Sequence, residues 1–497
     1  MLLYENLASQ FAALIGDGRM QPGDRLPSVR HLALQHRLSI STVVQALRSL
    51  ESRGMVEARP QSGYYVRRRA ARLVEASAPH AAVQPTQPVE VGVSRRLVEV
   101  LRANEAPGMV PLGSALPAPE LLLAPRLSRL YASIARRQPR LLAGSSHGSL
   151  SEEPLLRAIG RRALEWGCTI APEEVVVTNS CSEAMMLCLR AVTRPGDTVA
   201  VESPTYYVML QLLEAMGLRA LEIPTHPVTG ISIDALDLVT RQDTTHGRIA
   251  ACLLIPSGAN PLGGVMPDAA RQRIAELLAA RGVALIEDDI YGDVCFGSAR
   301  PRPIHAFDKS GNTMLCSSFS KTVSPALRVG FVAAGRRAAE IALQKTLTSG
   351  KTNPLTQCVI AELMESRGFD VHLRTLRRRF ADQVARTRDA VARYFPAATR
   401  LTDPQGGFVL WVELPPDVDA TALHRRAIAA GIAFVPGELF SAGGRYRHCL
   451  RLACGQPWSE RIDDGVRRLG QLMSADARRE GQYAGAQPFN GRMRKQP

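Results

Sequence analysis

Short apolar runs alternate with helical patterns from about Val93 to Leu472, and this alternation constrains the fold more than any other feature. Five of the runs have the length of strands and end in small or polar residues, namely Val175–Thr178, Thr198–Glu202, Ala250–Ile255, Ala284–Glu287 and Thr313–Cys316. Strands that alternate with helices predict an α/β domain with a mainly parallel sheet. Ligands of such sheets bind beyond the carboxyl ends of the strands, so the residues after each run are candidates for a site.

The residues that follow these strands suit a flat, phosphorylated ligand. The first strand leads into a helix start whose backbone N–H groups at Cys181 and Ser182 could bind a phosphate. The residues after the next three strands are Tyr206, Asn260, Asp288 and Tyr291. Each of these residues alone could equally be a helix cap, a turn residue or a core residue. Because all of them follow predicted strands, a shared site is the better interpretation.

Lys321 follows the fifth strand, within the hydroxyl-rich segment CSSFSKTVSPALRVG. Burial between apolar strands would favour its neutral amine, which can attack a carbonyl to form a Schiff base. The hydroxyl groups of Ser318 and Ser320, together with Arg328, suit a phosphate dianion. A lysine imine beside a phosphate site indicates pyridoxal 5'-phosphate, and a carboxylate such as Asp288 would keep its pyridine nitrogen protonated.

The net charge of +15 is concentrated towards the N-terminus. Residues 1–72 contain eleven arginines and five acidic residues, a balance of 11 − 5 = +6, which favours an anionic partner and DNA in particular. No apolar run approaches the roughly 20 residues of a membrane helix. The nine cysteines lack the spacing of metal ligands, so we expect no metal site and reduced, buried thiols in a cytoplasmic protein.

Helical periodicity predicts three helices and a hairpin in the N-terminal segment. The helices are expected from Tyr4 to about Gly16, from Ser28 to His36, and from an N-cap at Ser39 to Gly54. MVEARPQSGYYV then predicts two short strands joined by a tight turn, which would form a wing. The third helix leaves a polar face of the kind that enters a major groove, made of Ser41, Thr42, Gln45, Arg48 and Ser49.

Three segments, LPSVRHLA (26–33), LSISTVVQALRSLESRGMVEARP (38–60) and SGYYV (62–66), resemble the winged helix-turn-helix of the GntR family of bacterial transcription regulators. The resemblance implies phosphate contacts and base contacts by a set of residues that comprises Arg25, Ser28, Arg30, Ser39, Ser41, Thr42, Gln45, Arg48, Ser62, Gly63 and Tyr64. Ile40 departs from the pattern, because many relatives carry a basic or polar residue there. A small helical dimerisation module with incidental arginines is the alternative.

Further segments resemble the fold type I aminotransferases: NPLG (260–263), DDIY (288–291), SSFSK (317–321), LRVG (327–330) and CLRLACG (449–455). The resemblance implies that Lys321 is the Schiff-base lysine and that Asp288 pairs with the pyridine nitrogen. It also implies that Asn260 and Tyr291 contact the ring oxygen and that Arg451 binds a substrate carboxylate. Ser180 and Ala326 stand where relatives usually carry glycine.

A GntR-type winged helix joined to an aminotransferase-like domain resembles the MocR branch of the GntR regulators. The expected organisation is a DNA-binding domain (1–70), a linker (71–92), a pyridoxal-phosphate domain (93–473) and a disordered tail (474–497). The pyridoxal-phosphate domain is expected to combine the mainly parallel sheet with a smaller C-terminal α+β part. The resemblance implies a head-to-tail homodimer that binds double-stranded DNA and senses pyridoxal phosphate or an amino acid. The alternatives are an active aminotransferase with an attached DNA-binding module, and a DNA-binding protein whose large domain is only a dimerisation scaffold.

Overall fold

The N-terminal segment forms three helices and a two-stranded sheet. The computed structural model describes residues 3–21, 23–52, 55–59, 62–66, 87–143, 150–241, 248–297 and 299–484. The N-terminal elements are α1 (Leu3–Gly16), α2 (Val29–His36), α3 (Ile40–Ser52), β1 (Val56–Arg59) and β2 (Gly63–Val66). The two strands pair antiparallel, so the predicted order of three helices and a wing is confirmed. The predicted end of the third helix at Gly54 and the wing residues 60–61 lie outside the described residues.

Sequence periodicity also places the core of this segment. Leu7 of α1 and Leu32 of α2 pack with the apolar face of α3, whose residues Val43, Ala46, Leu47 and Leu50 are fully buried. Ser28 caps α2, because its Oγ accepts a hydrogen bond of 3.2 Å from His31 N. Ser39 caps α3 in the same way, through a bond of 3.1 Å from Thr42 N.

The rest of the described chain forms twelve helices and fifteen strands. The helices are α4 (Ser94–Asn104), α5 (Ala124–Arg137), α6 (Glu153–Glu165), α7 (Cys181–Val192), α8 (Tyr207–Ala215), α9 (Ile233–Thr240), α10 (Asp268–Arg281), α11 (Ala338–Thr348), α12 (Pro354–Glu365), α13 (Arg367–Tyr394), α14 (Ala420–Ala429) and α15 (Glu460–Ala484). The strands are β3 (Val89–Glu90), β4 (Val110–Pro111), β5 (Val175–Thr178), β6 (Thr198–Ser203), β7 (Arg219–His226), β8 (Gly230–Ile231), β9 (Ile249–Leu254), β10 (Ala284–Asp288), β11 (Thr313–Ser318), β12 (Gly330–Ala333), β13 (Arg400–Leu401), β14 (Val409–Glu413), β15 (Ile432–Ala433), β16 (Val435–Pro436) and β17 (Cys449–Ala453).

The large sheet has the order β3-β7-β6-β9-β10-β11-β12-β5, with β8 beside β7. The central strands β7, β6, β9, β10 and β11 are parallel, which confirms the mainly parallel core of the predicted α/β domain. The sheet is nevertheless mixed, because β12 runs antiparallel to both of its neighbours and β3 and β8 run antiparallel to β7. All five predicted strands are present, with boundaries that differ by at most two residues.

Both faces of this sheet are covered by helices. Val199 and Val201 of β6 pack in a cluster with α7 and α8, whereas Ala200 packs in a second cluster with α9 and α10. Strands buried on both faces have continuous apolar runs, which explains why these strands could be recognised in the sequence. A four-stranded antiparallel sheet, β13-β14-β17-β16, forms the smaller C-terminal α+β part that the sequence predicts.

Two predicted boundaries are wrong. The linker prediction (71–92) includes β3, which pairs with β7 at the edge of the large sheet and so belongs to the folded domain. The tail prediction (474–497) includes the end of α15, which continues to Ala484. Apolar periodicity is absent there, but residues 475–484 contain alanine, arginine and glutamate, which are strong helix formers. Residues 71–86 and 485–497 lie outside the described residues.

Candidate functional site

One cavity lies at the carboxyl ends of the parallel strands, where the sequence predicts a site. Its volume is about 160 Å³, and it is lined by side chains from five strand ends and from the start of α7. All ten residues predicted to hold the cofactor line it: Cys181, Ser182, Tyr206, Asn260, Asp288, Tyr291, Ser318, Ser320, Lys321 and Arg328. The alternation of strands and helices brings together residues that are up to 147 positions apart, from 181 to 328.

Lys321 is a buried amine with a lowered proton affinity. Its side chain is 8% exposed, and its Nζ donates a hydrogen bond of 2.6 Å to Ala115 O. Burial, and to a smaller extent the charge of Arg451, lowers the pKa of Lys321 to about 8, while the charge of Asp288 opposes the shift. At pH 7 roughly a tenth of such an amine is neutral, compared with under one part in a thousand for an ordinary lysine. The side chain is therefore a competent nucleophile near neutral pH.

Asp288 is a buried carboxylate at the end of β10. Its Oδ1 accepts hydrogen bonds of 3.2 Å from Cys181 Sγ and 3.1 Å from Ile290 N. Burial raises the pKa of Asp288 to about 6, although both hydrogen bonds and the charge of Lys321 oppose the rise. Above that pH the group carries a negative charge inside the cavity, which suits a protonated ring nitrogen.

The Cys181 thiol is a partner of Asp288 that the sequence analysis missed. Only the backbone of Cys181 was predicted to act, as part of a phosphate site. Burial raises the pKa of the Cys181 thiol well above its usual value, and the charge of Asp288 raises it further. The thiol therefore stays protonated and donates to the carboxylate. The two residues are 107 positions apart, and nothing in either local segment indicates the contact.

Hydroxyl groups, the start of α7 and an arginine also line the cavity. Ser318 Oγ and Ser320 Oγ lie 2.6 Å apart, and Arg328 has a left-handed backbone conformation with φ of 51°. The strand β12 passes very close to the start of α7, because a Cβ on Gly330 would lie 2.6 Å from Ser180 C. Only glycine permits this approach. Free N–H groups at a helix start attract anions, so these groups together suit a phosphate.

Ser180, the first departure from the aminotransferase pattern, has a structural role as the N-cap of α7. Its Oγ accepts a hydrogen bond of 3.0 Å from Glu183 N. The second departure, Ala326, lies in a 3-10 turn that begins at Pro325. Its backbone N donates a bond of 3.2 Å to Ser324 Oγ. Neither departure closes the cavity.

Tyr291 and Asn260 lie together on one wall of the cavity. Burial raises the pKa of Tyr291, whereas the charge of Arg451 and a hydrogen bond with Asn260 lower it. Asn260 is 2% exposed, and its Oδ1 is buried without a hydrogen-bond partner among the described residues. Tyr206 lies on the cavity wall too, with its ring centroid 4.6 Å from that of Tyr207.

Arg451 lies outside the set of lining residues, although it is close enough to lower the pKa of Lys321. It is on β17, is fully buried, and donates a hydrogen bond of 2.6 Å from Nη2 to Gly113 O. Its guanidinium carbon is 5.9 Å from the ring centroid of Tyr207 and 5.7 Å from that of Phe440. Within the described part of the chain, its Nε and Nη1 are buried without any hydrogen-bond partner. A buried cation with two unsatisfied donors is costly, which suits a site that receives a carboxylate.

The predicted DNA-binding residues lie on the surface of the N-terminal module. Arg25, Ser28, Arg30, Ser39, Ser41, Gln45, Arg48 and Gly63 are exposed, and Thr42, Ser62 and Tyr64 are partly buried. A Cβ on Gly63 would lie 3.6 Å from Arg25 Nε, so Arg25 lies beside the wing. Burial and Glu51 raise the pKa of Tyr64 and Arg48 lowers it, which also places α3 next to the wing.

Two other classes of site are absent from the described part of the chain. No group of three or more metal-ligating side chains occurs there. No helix in that part is both long and apolar enough to cross a membrane.

Comparisons with known families match both parts of the chain. Residues 3–66 match the model of bacterial regulatory proteins of the gntR family, and residues 134–469 match aminotransferase class I and II. The uncharacterized HTH-type transcriptional regulators YjiR and YdcR of Escherichia coli are 37% and 36% identical to the chain. Each alignment covers 95% of this chain and 99% of the relative.

Enzymes match the large domain alone. The 2-aminoadipate transaminase of Thermus thermophilus is 33% identical over 76% of this chain and 92% of its own length. The crystal structure of LysN, the α-aminoadipate aminotransferase of the same species, was solved with N-(5'-phosphopyridoxyl)-L-leucine. It superposes with a TM-score of 0.69 at 31% identity, over 76% of this chain and 94% of that one.

Proposed function

This chain belongs to the MocR-type branch of the GntR family, and we propose that it binds pyridoxal phosphate and senses an amino acid. In this branch a winged helix is fused to an aminotransferase class I and II domain. The observation that carries the proposal is the cavity beside Lys321, which is lined by all ten residues that the sequence predicts to hold the cofactor. The effector, in this proposal, is a primary amine with a carboxylate.

The fit of the cofactor is supported by groups that the protein alone leaves unsatisfied. Asn260 Oδ1 can accept a hydrogen bond, and it has no partner among the described residues. Asp288 offers a buried negative charge in the cavity, and the start of α7, which also lines the cavity, offers backbone N–H groups. A phosphorylated pyridine ring with an ionisable nitrogen and a ring oxygen matches this distribution of donors, acceptors and charge.

Pyridoxal phosphate, when bound, supplies an aldehyde that condenses with primary amines and a ring that withdraws electrons from the attached group. Lys321 Nζ provides the protein amine, because its lowered pKa leaves part of it neutral near pH 7. The Asp288 carboxylate holds a proton on the ring nitrogen. The Cys181 thiol and Ile290 N–H donate hydrogen bonds to Asp288 Oδ1 and keep this carboxylate in place. Ser318, Ser320 and Arg328 bind the phosphate in this proposal.

Arg451 selects the effector. Its unpaired Nε and Nη1 donors can bind a carboxylate, and a carboxylate would supply the negative charge that this buried guanidinium lacks among the described residues. A bound amino acid would neutralise a charge that lowers the pKa of Lys321 and would place its own amine near the cofactor. The charge balance of the cavity therefore changes when the effector binds.

The N-terminal module binds double-stranded DNA in this proposal. The exposed arginines Arg25, Arg30 and Arg48 contact phosphates, and the polar face of α3 contacts base edges. A head-to-tail homodimer would present two such modules to a palindromic site. For the effector to regulate, its affinity must differ between two arrangements of the modules, which would couple amino-acid binding to DNA affinity.

An active aminotransferase with an attached DNA-binding module is the second candidate. It is supported by the predicted catalytic residue types that line the cavity and by the similarity of the large domain to the Thermus thermophilus transaminase. The two candidates differ in turnover. An aminotransferase moves the amino group of an amino acid to a 2-oxo acid repeatedly, whereas a sensor requires binding alone.

The cofactor part of the proposal can be tested by titrating the purified protein with pyridoxal phosphate and recording absorbance. Borohydride reduction and peptide mass analysis should then locate the adduct on Lys321. Lys321→Ala should abolish the adduct, and Lys351→Ala should retain it, because Lys351 pairs with Glu152 instead. An unchanged spectrum in the wild type, or an equal adduct in Lys321→Ala, would refute the cofactor site. Sustained amino-group transfer to a 2-oxo acid would favour the second candidate.

A further inference from the structure

Ile40 is an exposed isoleucine at the start of α3, the helix whose polar face is proposed to contact base edges. It is the first residue of α3 and is 57% exposed, whereas the apolar residues that follow it, Val43, Leu47 and Leu50, are fully buried. The hydrophobic core of the module therefore does not require the Ile40 side chain. The first residues of a helix that enters the major groove face the base edges. Ile40 would therefore lie where the protein contacts the bases of the DNA.

The neighbours of Ile40 are engaged in capping the helix. Ser39 Oγ lies 2.8 Å from Ser41 Oγ and 2.8 Å from Thr42 Oγ1, and it accepts a bond from Thr42 N. Three hydroxyl groups thus satisfy one another at the helix start. The isoleucine projects from this polar cluster with no hydrogen-bonding group of its own. It cannot read a donor or an acceptor on a base.

The positive charge around Ile40 favours DNA as the partner that contacts this residue. Residues 1–72 have a balance of 11 − 5 = +6, and Arg25, Arg30 and Arg48 are all exposed. A major groove presents one apolar group to an aliphatic side chain, the C5-methyl group of thymine. A polar or basic residue at this position would instead contact hydrogen-bonding groups of the bases or phosphates.

We propose that Ile40 determines operator specificity by packing against the C5-methyl group of a thymine in each half-site. This inference deepens the proposed function and rests on the DNA-binding part of it. Burial of one methyl group corresponds to about a fourfold change in affinity per half-site, or roughly 0.8 kcal/mol. Replacing both symmetry-related methyl groups would lower the affinity about fifteenfold if the half-sites act independently.

The test removes the methyl group from the DNA and the isoleucine from the protein in turn. The full-length protein selects a high-affinity duplex from a random library, and each thymine of that duplex is then replaced singly by deoxyuridine, which retains its base pairing. We expect about a fourfold loss of wild-type affinity at one position per half-site. Ile40→Ala should bind the thymine and uracil duplexes with equal affinity. Because Ile40 is largely exposed, this change should leave the module folded.

Leu34→Ala is the matched control, since Leu34 is an 80% exposed aliphatic residue on α2. This variant should keep the full discrimination between thymine and uracil. The proposal is overturned if no uracil position weakens wild-type binding, if the discrimination survives in Ile40→Ala, or if it is lost in Leu34→Ala instead. Failure to select any preferred duplex would refute the DNA-binding proposal itself, which separates that failure from the failure of the methyl contact.

Discussion

Arg451 and Arg271 are both fully buried arginines, and we expect their replacement by methionine to change stability in opposite directions. Arg271 is satisfied: its Nε donates to Met266 O, its Nη1 to Ser257 Oγ and Arg302 O, and its Nη2 to Pro256 O. Arg451 has one bond, from Nη2 to Gly113 O, while Nε and Nη1 have none among the described residues. This difference in the number of satisfied donors is the reason to expect that Arg451 binds a ligand.

The magnitudes follow from the number of unsatisfied donors. Each buried, unsatisfied donor destabilises the protein by about 1–3 kcal/mol, and a hydrogen bond from a charged group contributes about 1.5–3 kcal/mol. Arg451→Met removes two unsatisfied donors, which at mid-range contributes about 4 kcal/mol, and one bond worth about 2 kcal/mol, so the ligand-free protein should gain about 2 kcal/mol. Arg271→Met removes four bonds and leaves their acceptors buried, so it should lose at least about 3 kcal/mol.

Thermal unfolding of the ligand-free proteins, followed by circular dichroism, measures both effects. Arg451→Met should raise the melting temperature by a few degrees, and Arg271→Met should lower it. Added amino acid, with pyridoxal phosphate present, should stabilise the wild type and leave Arg451→Met unchanged. If Arg451→Met destabilises the protein as much as Arg271→Met does, Arg451 is a structural residue and the reasoning is refuted.

Three further predictions concern the cavity and its surroundings. The rate at which pyridoxal phosphate attaches to the ligand-free protein, measured by stopped-flow absorbance, should rise with pH. The midpoint of this rise should lie at the pKa of Lys321, about 8. A midpoint at the pKa of an ordinary lysine would contradict the prediction. Gly330→Ala should weaken cofactor binding at least about tenfold, because the Cβ of the new alanine would lie 2.6 Å from Ser180 C. Gly92→Ala is the control and should bind the cofactor normally, because a Cβ at this position would have no atom within 4 Å. Burial raises the pKa of Glu202 from 4.5 to about 8, so the folded state binds more protons than the unfolded state between these two pH values and stability falls as pH rises through that range. Glu202→Gln should flatten the decrease in melting temperature over these pH values, and an unchanged slope would show that this carboxyl does not titrate there.

The fold and the position of the cavity could be predicted because each depends on short segments of sequence. The continuous apolar runs of β5, β6, β9, β10 and β11 identify strands buried on both faces. Because ligands bind at the carboxyl ends of parallel strands, Asn260, Asp288 and Lys321 can be assigned to one site without any knowledge of the strand order. Their roles remain predictions, whereas their common position around one cavity is observed.

Contacts between distant segments could not be predicted. The bond from Cys181 to Asp288 depends on the packing of α7 against the end of β10, and the bond from Lys321 to Ala115 O involves a backbone atom without a sequence signal. The strand β3 has two residues, too few to show a period, and only its pairing with β7 reveals it. The unsatisfied donors of Arg451 likewise appear only when all of its described neighbours are in place.

The affinity of the full-length protein for its own upstream DNA tests the central claim most directly. Fluorescence anisotropy would measure this affinity with and without pyridoxal phosphate, and then with pooled amino acids. The account predicts a several-fold change on addition of the ligands, and the change should disappear in Lys321→Ala. Tight binding that no ligand alters would contradict a regulator gated through Lys321. Absence of specific binding would favour the aminotransferase.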